Sequence, residues 1–268
     1  MRLRWFRLLT AGLIALAMSG LSANATATAA GPLPANQVVF LLSSGGGLIP
    51  PVVYALESPS LIIHGDGRIL SAAGASTGDA VPVRYNLNQI DPVAVASFAS
   101  WAQGRGIVNS GTDFGQPGVT DMDTTTVLLH GDGPPAKASV YAFYPSFDKD
   151  VTAAAQRARA ALREVVAEAT SLAGAGIVVP YTPDRVAVYE VEAPSAVTAA
   201  TTVWPGPPPA SFLTPSTQSR SQSCGYLTGD AAVTAYQAAL NNPGALWLVD
   251  GATRALAVNP YPLTDSCP

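Results

Sequence analysis

Ser60–Leu70 reads SLIIHGDGRIL, and its centre, HGDG, returns at His130–Gly133 inside TVLLHGDGPP. An apolar run, an Asp-Gly pair and a second run of strand formers is the pattern of a β-hairpin. Both residues of a type I′ turn need positive φ, which Asp tolerates and Gly adopts freely. LWLVDGATRALAV, Leu246–Val258, repeats the pattern near the C-terminus. A turn at Asp66-Gly67 sets Gly65 opposite Arg68 and His64 opposite Ile69, so His64 shares a strand face with Ile62. At the second corner Pro134 stands where Arg68 stood, and it has no N–H to donate. That corner is therefore expected to be looser or to lie on a sheet edge.

Outward from the first corner, Gln37–Ser43 is an apolar run of β-formers and reads as a buried strand, broken by Gly45, Gly46 and Gly47. Those glycines do not make a phosphate loop, because Pro50-Pro51 follow and no Lys is near. Val81–Leu87 adds a strand after the first hairpin. Asp91-Pro92 is an N-cap followed by a first helical residue, and the helix it opens, with Phe98 and Trp101 on one face, ends at Gly104 or Gly106. The second unit repeats the order: strands Asp123–His130 and Lys137–Tyr144, then a helix capped by Asp148 or Asp150. In that helix Val151, Ala155, Ala158, Leu162, Val165, Val166, Ala169 and Leu172 form an apolar stripe before Gly174. Asp184–Glu192 alternates as a strand whose inner face the pattern leaves open.

Pro194–Ser223 is rich in Pro, Ser and Thr and reads as a linker without regular structure, which Trp204 could pin down. Thr228–Leu240 reads as a helix capped by Thr228, and the third hairpin follows, with Trp247 opposite Arg254 and stacked on it. The expected fold class is α+β, mainly antiparallel sheet built from β-hairpins with covering helices in repeated β-β-α units. The expected division is a signal peptide at 1–29, an α+β domain at 36–193, a linker at 194–223, and a disulfide-closed helix plus hairpin at 224–268 packed on the main domain.

The first 30 residues carry the marks of a secretory leader: basic MRLRWFR, an apolar Leu8–Leu21, then small residues with Ala27-Thr28-Ala29 as the preferred cleavage site. The apolar run is shorter than the roughly 20 residues of a spanning helix. Removing this leader takes three of the 14 basic side chains and leaves 11 against 18 acidic ones, a formal charge of −7. A chain so short of basic side chains lacks the electrostatic footprint of a nucleic-acid binder. The two cysteines, Cys224 and Cys267, have no CxxC spacing and no neighbouring His, and in an exported chain they are expected to form a disulfide that closes the tail.

Candidate chemistry is sparse. A serine hydrolase would draw on Ser43 or Ser44 and on His64 or His130, the chain's two histidines, but no GxSxG elbow is present and each His lies beside a hairpin corner. Asp121 and Asp123 flank Met122 at strand spacing, and with Asp113 they could form an oxygen-rich calcium site without the EF-hand spacing; the simpler reading is that they cap turns around Gly115 and Gly118. Tyr141, Phe143, Tyr144, Phe147, Tyr181, Tyr189, Trp204 and Trp247 could line a carbohydrate or peptide groove, although most of them suit a core.

The combination of a strand running into SGGGLIP, then HGDGRI, then PGVTDMDTTTVLLHGDG, with a C-terminal cysteine after a strand pair, resembles a group of exported, uncharacterised actinobacterial proteins, many of them named as lipoproteins. The resemblance spans about residues 36–268 and brings no activity and no functional residues with it. This chain departs from the lipoprotein members by lacking the lipid-acceptor cysteine. Together these readings lead to a secreted or cell-envelope protein that binds an envelope or extracellular partner without turning it over. The alternative is an extracellular hydrolase of wall polymers acting through the acidic loop Asp113–Asp123.

Overall fold

A computed structural model describes residues 31–74, 81–193, 201–216, 221–244, 246–263 and 267. The expected leader lies outside the described residues. In chain order the first part comprises β1 (Val38–Gly45), α1 (Pro51–Ala55), β2 (Leu61–His64), β3 (Arg68–Ala72), β4 (Tyr85–Gln89), α2 (Pro92–Gly104), β5 (Thr124–Leu129), β6 (Ala136–Tyr141), α3 (Ala153–Ala173) and β7 (Val178–Tyr181). The second comprises β8 (Arg185–Glu190), β9 (Thr201–Val203), β10 (Thr214–Pro215), β11 (Ser223–Thr228), α4 (Gly229–Asn241), β12 (Leu246–Val249), β13 (Ala252–Arg254) and β14 (Leu256–Asn259). The fold is α+β with antiparallel sheets, as expected, and the sole parallel pairing between described strands joins β9 to β12.

A seven-stranded sheet runs β6-β5-β1-β2-β3-β4-β7. One face buries Phe40, Leu61, Ile63, Ile69, Val127, Leu129 and Val140 under α2 and α3. Asp91 caps α2 as expected, its carboxylate accepting from the Val93 N–H. The cap of α3 differs: Thr152 accepts from the Ala155 N–H, while Asp148 and Asp150 lie in the preceding 3₁₀ turn Pro145–Asp150. The stripe on α3 contains a residue that periodicity did not select. Arg159 is fully buried and donates to the carbonyls of Phe114 (2.8 Å), Ala142 (2.9 Å) and Tyr141 (2.7 Å).

In the second sheet, β10-β11-β8-β14, Ala187 lines a cleft together with Leu41, which projects from the face of the first sheet opposite Phe40. This sheet corrects the expected division, because β8, assigned to the first domain, is one of its two inner strands, paired with β11 and β14. Its inner face was ambiguous because both faces are inner. Val186 and Val188 pack with Leu227, Leu256, Val258 and the Ala235, Tyr236 and Ala239 side of α4, whereas Ala187 and Tyr189 pack with Leu56, Cys224 and Ala257. The layers therefore run helices, sheet, sheet, helix.

The described residues of the stretch read as a linker, 201–216 and 221–223, carry more regular structure than its composition suggested. β9 and β10 both enter sheets, and Trp204 packs edge-on against Trp247 at 5.3 Å and donates to the Pro207 carbonyl. Trp247 stands opposite Arg254 as expected, but Arg254 pairs with Glu190 and the indole packs on Trp204 instead. Cys224 and Cys267 are joined, with Cα atoms 5.4 Å apart. Asn259, almost fully buried, fastens the layers: its amide donates to the carbonyls of Ala55 and Glu57, and its oxygen accepts from the Ser58 hydroxyl.

Candidate functional site

The two HGDG segments lie at the same end of the large sheet, because β2 and β5 flank β1 and both run antiparallel to it. Residues 33–37 run between them. The Gln37 carbonyl accepts from the Gly65 N–H (2.9 Å), the Ala35 carbonyl accepts from the Asp66 N–H, and the Gln37 side-chain amide donates to the His130 and Gly131 carbonyls. A Cβ on Gly65 would overlap the Pro34 carbonyl, which is why a glycine is required there.

The first corner is not the expected two-residue turn. Ile63, rather than His64, faces Ile69, so Gly65, Asp66 and Gly67 form a three-residue loop in which only Gly67 is left-handed, at φ 89°. A three-residue loop of this kind places a glycine at its last position. Asp66 tightens it by accepting from the Arg68 N–H and side chain. Burial alone would raise the Asp66 carboxyl, but the Arg68 hydrogen bonds and charge outweigh it and hold the group below the ordinary carboxylate range. The second corner is open, as Pro134 predicts: the ladder ends at Leu129 opposite Ala136. Asp250-Gly251, with φ of 48° and 79°, is the corner in which both residues are left-handed.

His64 is buried beside this strap, and its Nδ1 has no hydrogen-bond partner among the described residues. Burial, then the Arg68 charge, pushes the imidazole below its ordinary pKa, against smaller upward contributions from Asp66 and from a hydrogen bond with the Asn36 backbone. Ser43 and Ser44 lie far along β1 from this end: Val38 is the residue opposite His64, whereas Ser44 faces Thr125 and bonds its hydroxyl. Among the described residues, neither Ser43 nor Ser44 is paired with His64 or His130.

The acids stand at the opposite end. β5 begins at Thr124, opposite Gly45, and ends at Leu129, opposite Phe40. Asp123 and His130 are therefore separated by the length of a strand, on the order of 20 Å at about 3.3 Å per residue. Nor do the three acids gather. The Asp113 carboxylate accepts from the Gly115 N–H, Asp121 turns the chain at φ 58°, and Asp123 faces the Tyr144 hydroxyl. Among the described residues no group of three or more His, Cys, Asp or Glu side chains is placed to hold a metal ion, so the calcium grouping of Asp113, Asp121 and Asp123 is not assembled. Their loop is fastened by other means: Tyr141 accepts from the Met122 N–H and donates to the Val119 carbonyl, and Arg159 grips the Phe114 carbonyl.

A different cleft opens between the two sheets, with a volume of 360 Å³, inside the range of about 300–1,000 Å³ usual for small-molecule sites. Leu41 and Ala187 contribute from the two sheets, Tyr181, Tyr226 and Tyr261 are aromatic lining, and Asp184 and Arg185 supply charge. The elements explain the placement. Tyr226 pairs with Ala187 across β11 and β8, so Arg185 is its diagonal neighbour on the same face, and the guanidinium lies over the Tyr226 ring, 3.8 Å from its centroid. Tyr181 ends β7 opposite Tyr85. Burial raises the Tyr181 phenol and the Asp184 charge adds to the rise, so the hydroxyl keeps its proton and can donate.

Of these residues only Tyr181 was singled out from the sequence. Tyr226 and Tyr261 carry no periodic or motif signal, and Asp184 and Arg185 read as the start of an ordinary strand. Among the described residues no helix is long and apolar enough to cross a membrane. No protein-family profile, curated protein or solved structure matches this chain.

Proposed function

We propose that the chain is a secreted or cell-envelope protein, of the exported kind it resembles, that binds an extracellular ligand without turning it over, and that the cleft between the sheets is where it binds. The observation that carries this reading is the cleft itself: an open-mouthed space of small-ligand size between two sheets, lined by three tyrosines, one acidic and one basic side chain. A cysteine pair at disulfide distance is consistent with an oxidising compartment.

Isothermal calorimetry of the full chain against soluble cell-wall fragments tests the proposal. Saturable binding without product formation, lost in Tyr226→Ala, is expected. Turnover of the fragments that disappears in Asp121→Ala or Asp123→Ala would overturn it in favour of a hydrolase working through the acidic loop.

A further inference from the structure

Resting on that binding reading, the lining of the cleft narrows the ligand class. Asp184 and Arg185 are neighbours in the chain and both line the cleft, yet among the described residues neither side chain makes an ion pair or a hydrogen bond. Arg185 is nevertheless held in place, because its guanidinium face rests on Tyr226. Stacking occupies the face of the guanidinium and leaves its in-plane N–H groups directed outward as a planar fork of donors. The carboxylate of Asp184 is an acceptor without donors of its own.

The cleft thus carries in its lining both a held set of donors, on Arg185, and a set of acceptors, on Asp184, one positive and one negative charge. An anionic ligand that satisfied Arg185 would meet Asp184, and a cation that satisfied Asp184 would meet Arg185; like charges at contact distance are unfavourable. A neutral ligand with adjacent hydroxyls uses both, one hydroxyl donating to the carboxylate and the next accepting from the guanidinium. Tyr181 adds a protonated phenol, and the rings of Tyr226 and Tyr261 supply amphipathic surface of the kind that packs against the C–H face of a sugar ring.

We infer that the cleft is a saccharide site, which takes a neutral sugar unit between the tyrosines with Asp184 and Arg185 on vicinal hydroxyls. The ring enters from the rim where Asp184 and Arg185 are exposed, and Leu41 and Ala187 close the floor.

The test uses the full chain and isothermal titration with linear trisaccharides of glucose, mannose and N-acetylglucosamine, beside two controls, glucuronic acid and trialanine. At least one neutral trisaccharide is expected to bind with one-to-one stoichiometry. Asp184→Asn, Arg185→Gln and Tyr226→Leu are each expected to weaken it at least tenfold, with the urea midpoint of the two rim variants unchanged. Binding of trialanine or glucuronic acid in preference to every neutral sugar, lost in Tyr226→Leu, would overturn the saccharide assignment while leaving the binding cleft intact. Sugar binding indifferent to Asp184→Asn and Arg185→Gln would also overturn it. Absence of binding by any of the five probes would refute the saccharide site, and the wall-fragment calorimetry would then decide separately whether the cleft binds anything.

Discussion

Replacing Arg159 with Met should be among the most destabilising single changes in the chain. The guanidinium is fully buried and donates to three main-chain carbonyls, those of Phe114, Tyr141 and Ala142, with Asp148 3.6 Å away. Hydrogen bonds to a charged donor are worth roughly 1.5–3 kcal/mol each, so three would give about 5–9 kcal/mol if nothing opposed them. Burial of the charge opposes them by several kcal/mol, and it also lowers the guanidinium pKa. The expected net loss is about 3–5 kcal/mol, the range for breaking a buried charged network by removing one partner.

Urea denaturation followed by far-ultraviolet circular dichroism measures it. Arg159→Lys should fall between wild type and Arg159→Met, because an ammonium is a point donor that does not reproduce the fork. Asp148 supplies an independent check. The Arg163 hydrogen bond is the largest influence on its carboxyl and, with the charges of Arg163 and Arg159, holds it below the ordinary range against the effect of burial. A depressed carboxyl stabilises above its unfolded pKa, about 3.9, and that contribution is lost as pH falls through the folded value. A loss below about 1 kcal/mol in Arg159→Met, with an unchanged denaturant slope, would refute the reasoning that the three carbonyls depend on this side chain.

Stability should also fall on mild acidification because of His64, whose folded pKa lies below its ordinary 6.5. The unfolded chain then takes up the proton first, so the stabilisation is complete above pH 6.5 and declines as pH drops toward the folded value; equal urea midpoints for wild type and His64→Gln at both pH 7.5 and pH 5.5 would contradict it. The double substitution Cys224→Ser, Cys267→Ser should cost roughly 3–4 kcal/mol, the chain-entropy value for a sequence separation of 43. An unfolding midpoint that does not respond to the substitution under oxidising conditions would show that the bond contributes nothing to the fold.

Elements with a strong local signal were legible in the residues. Asp91-Pro92 announced α2, the stripe from Ala155 to Leu172 announced α3, and Asp250-Gly251 announced a type I′ corner with Trp247 opposite Arg254. Even here a contact from elsewhere could override the local rule. HGDG at 64–67 met the conditions for a two-residue turn, yet the carbonyls of Ala35 and Gln37 capture the N–H groups of Asp66 and Gly65, and Asp66 binds Arg68, so the loop settles with one left-handed residue. The same four residues at 130–133 close nothing tightly, because Pro134 withholds an N–H.

The sequence by itself determined the class of fold, the presence of α2 and α3, the hairpin corners as punctuation and the looseness of the second one, because periodicity, caps and turn residues act within a few residues of themselves. Only the tertiary structure decided that β8 belongs to the second sheet, that Arg159 is core, that His64 and His130 share a sheet end while Asp113, Asp121 and Asp123 lie at the other, and that Tyr181, Asp184, Arg185, Tyr226 and Tyr261 line one cleft. Each of these depends on which strand pairs with which and on how two sheets stack. Those contacts join residues far apart in the chain, and their pairing leaves no mark in the local pattern of any one segment.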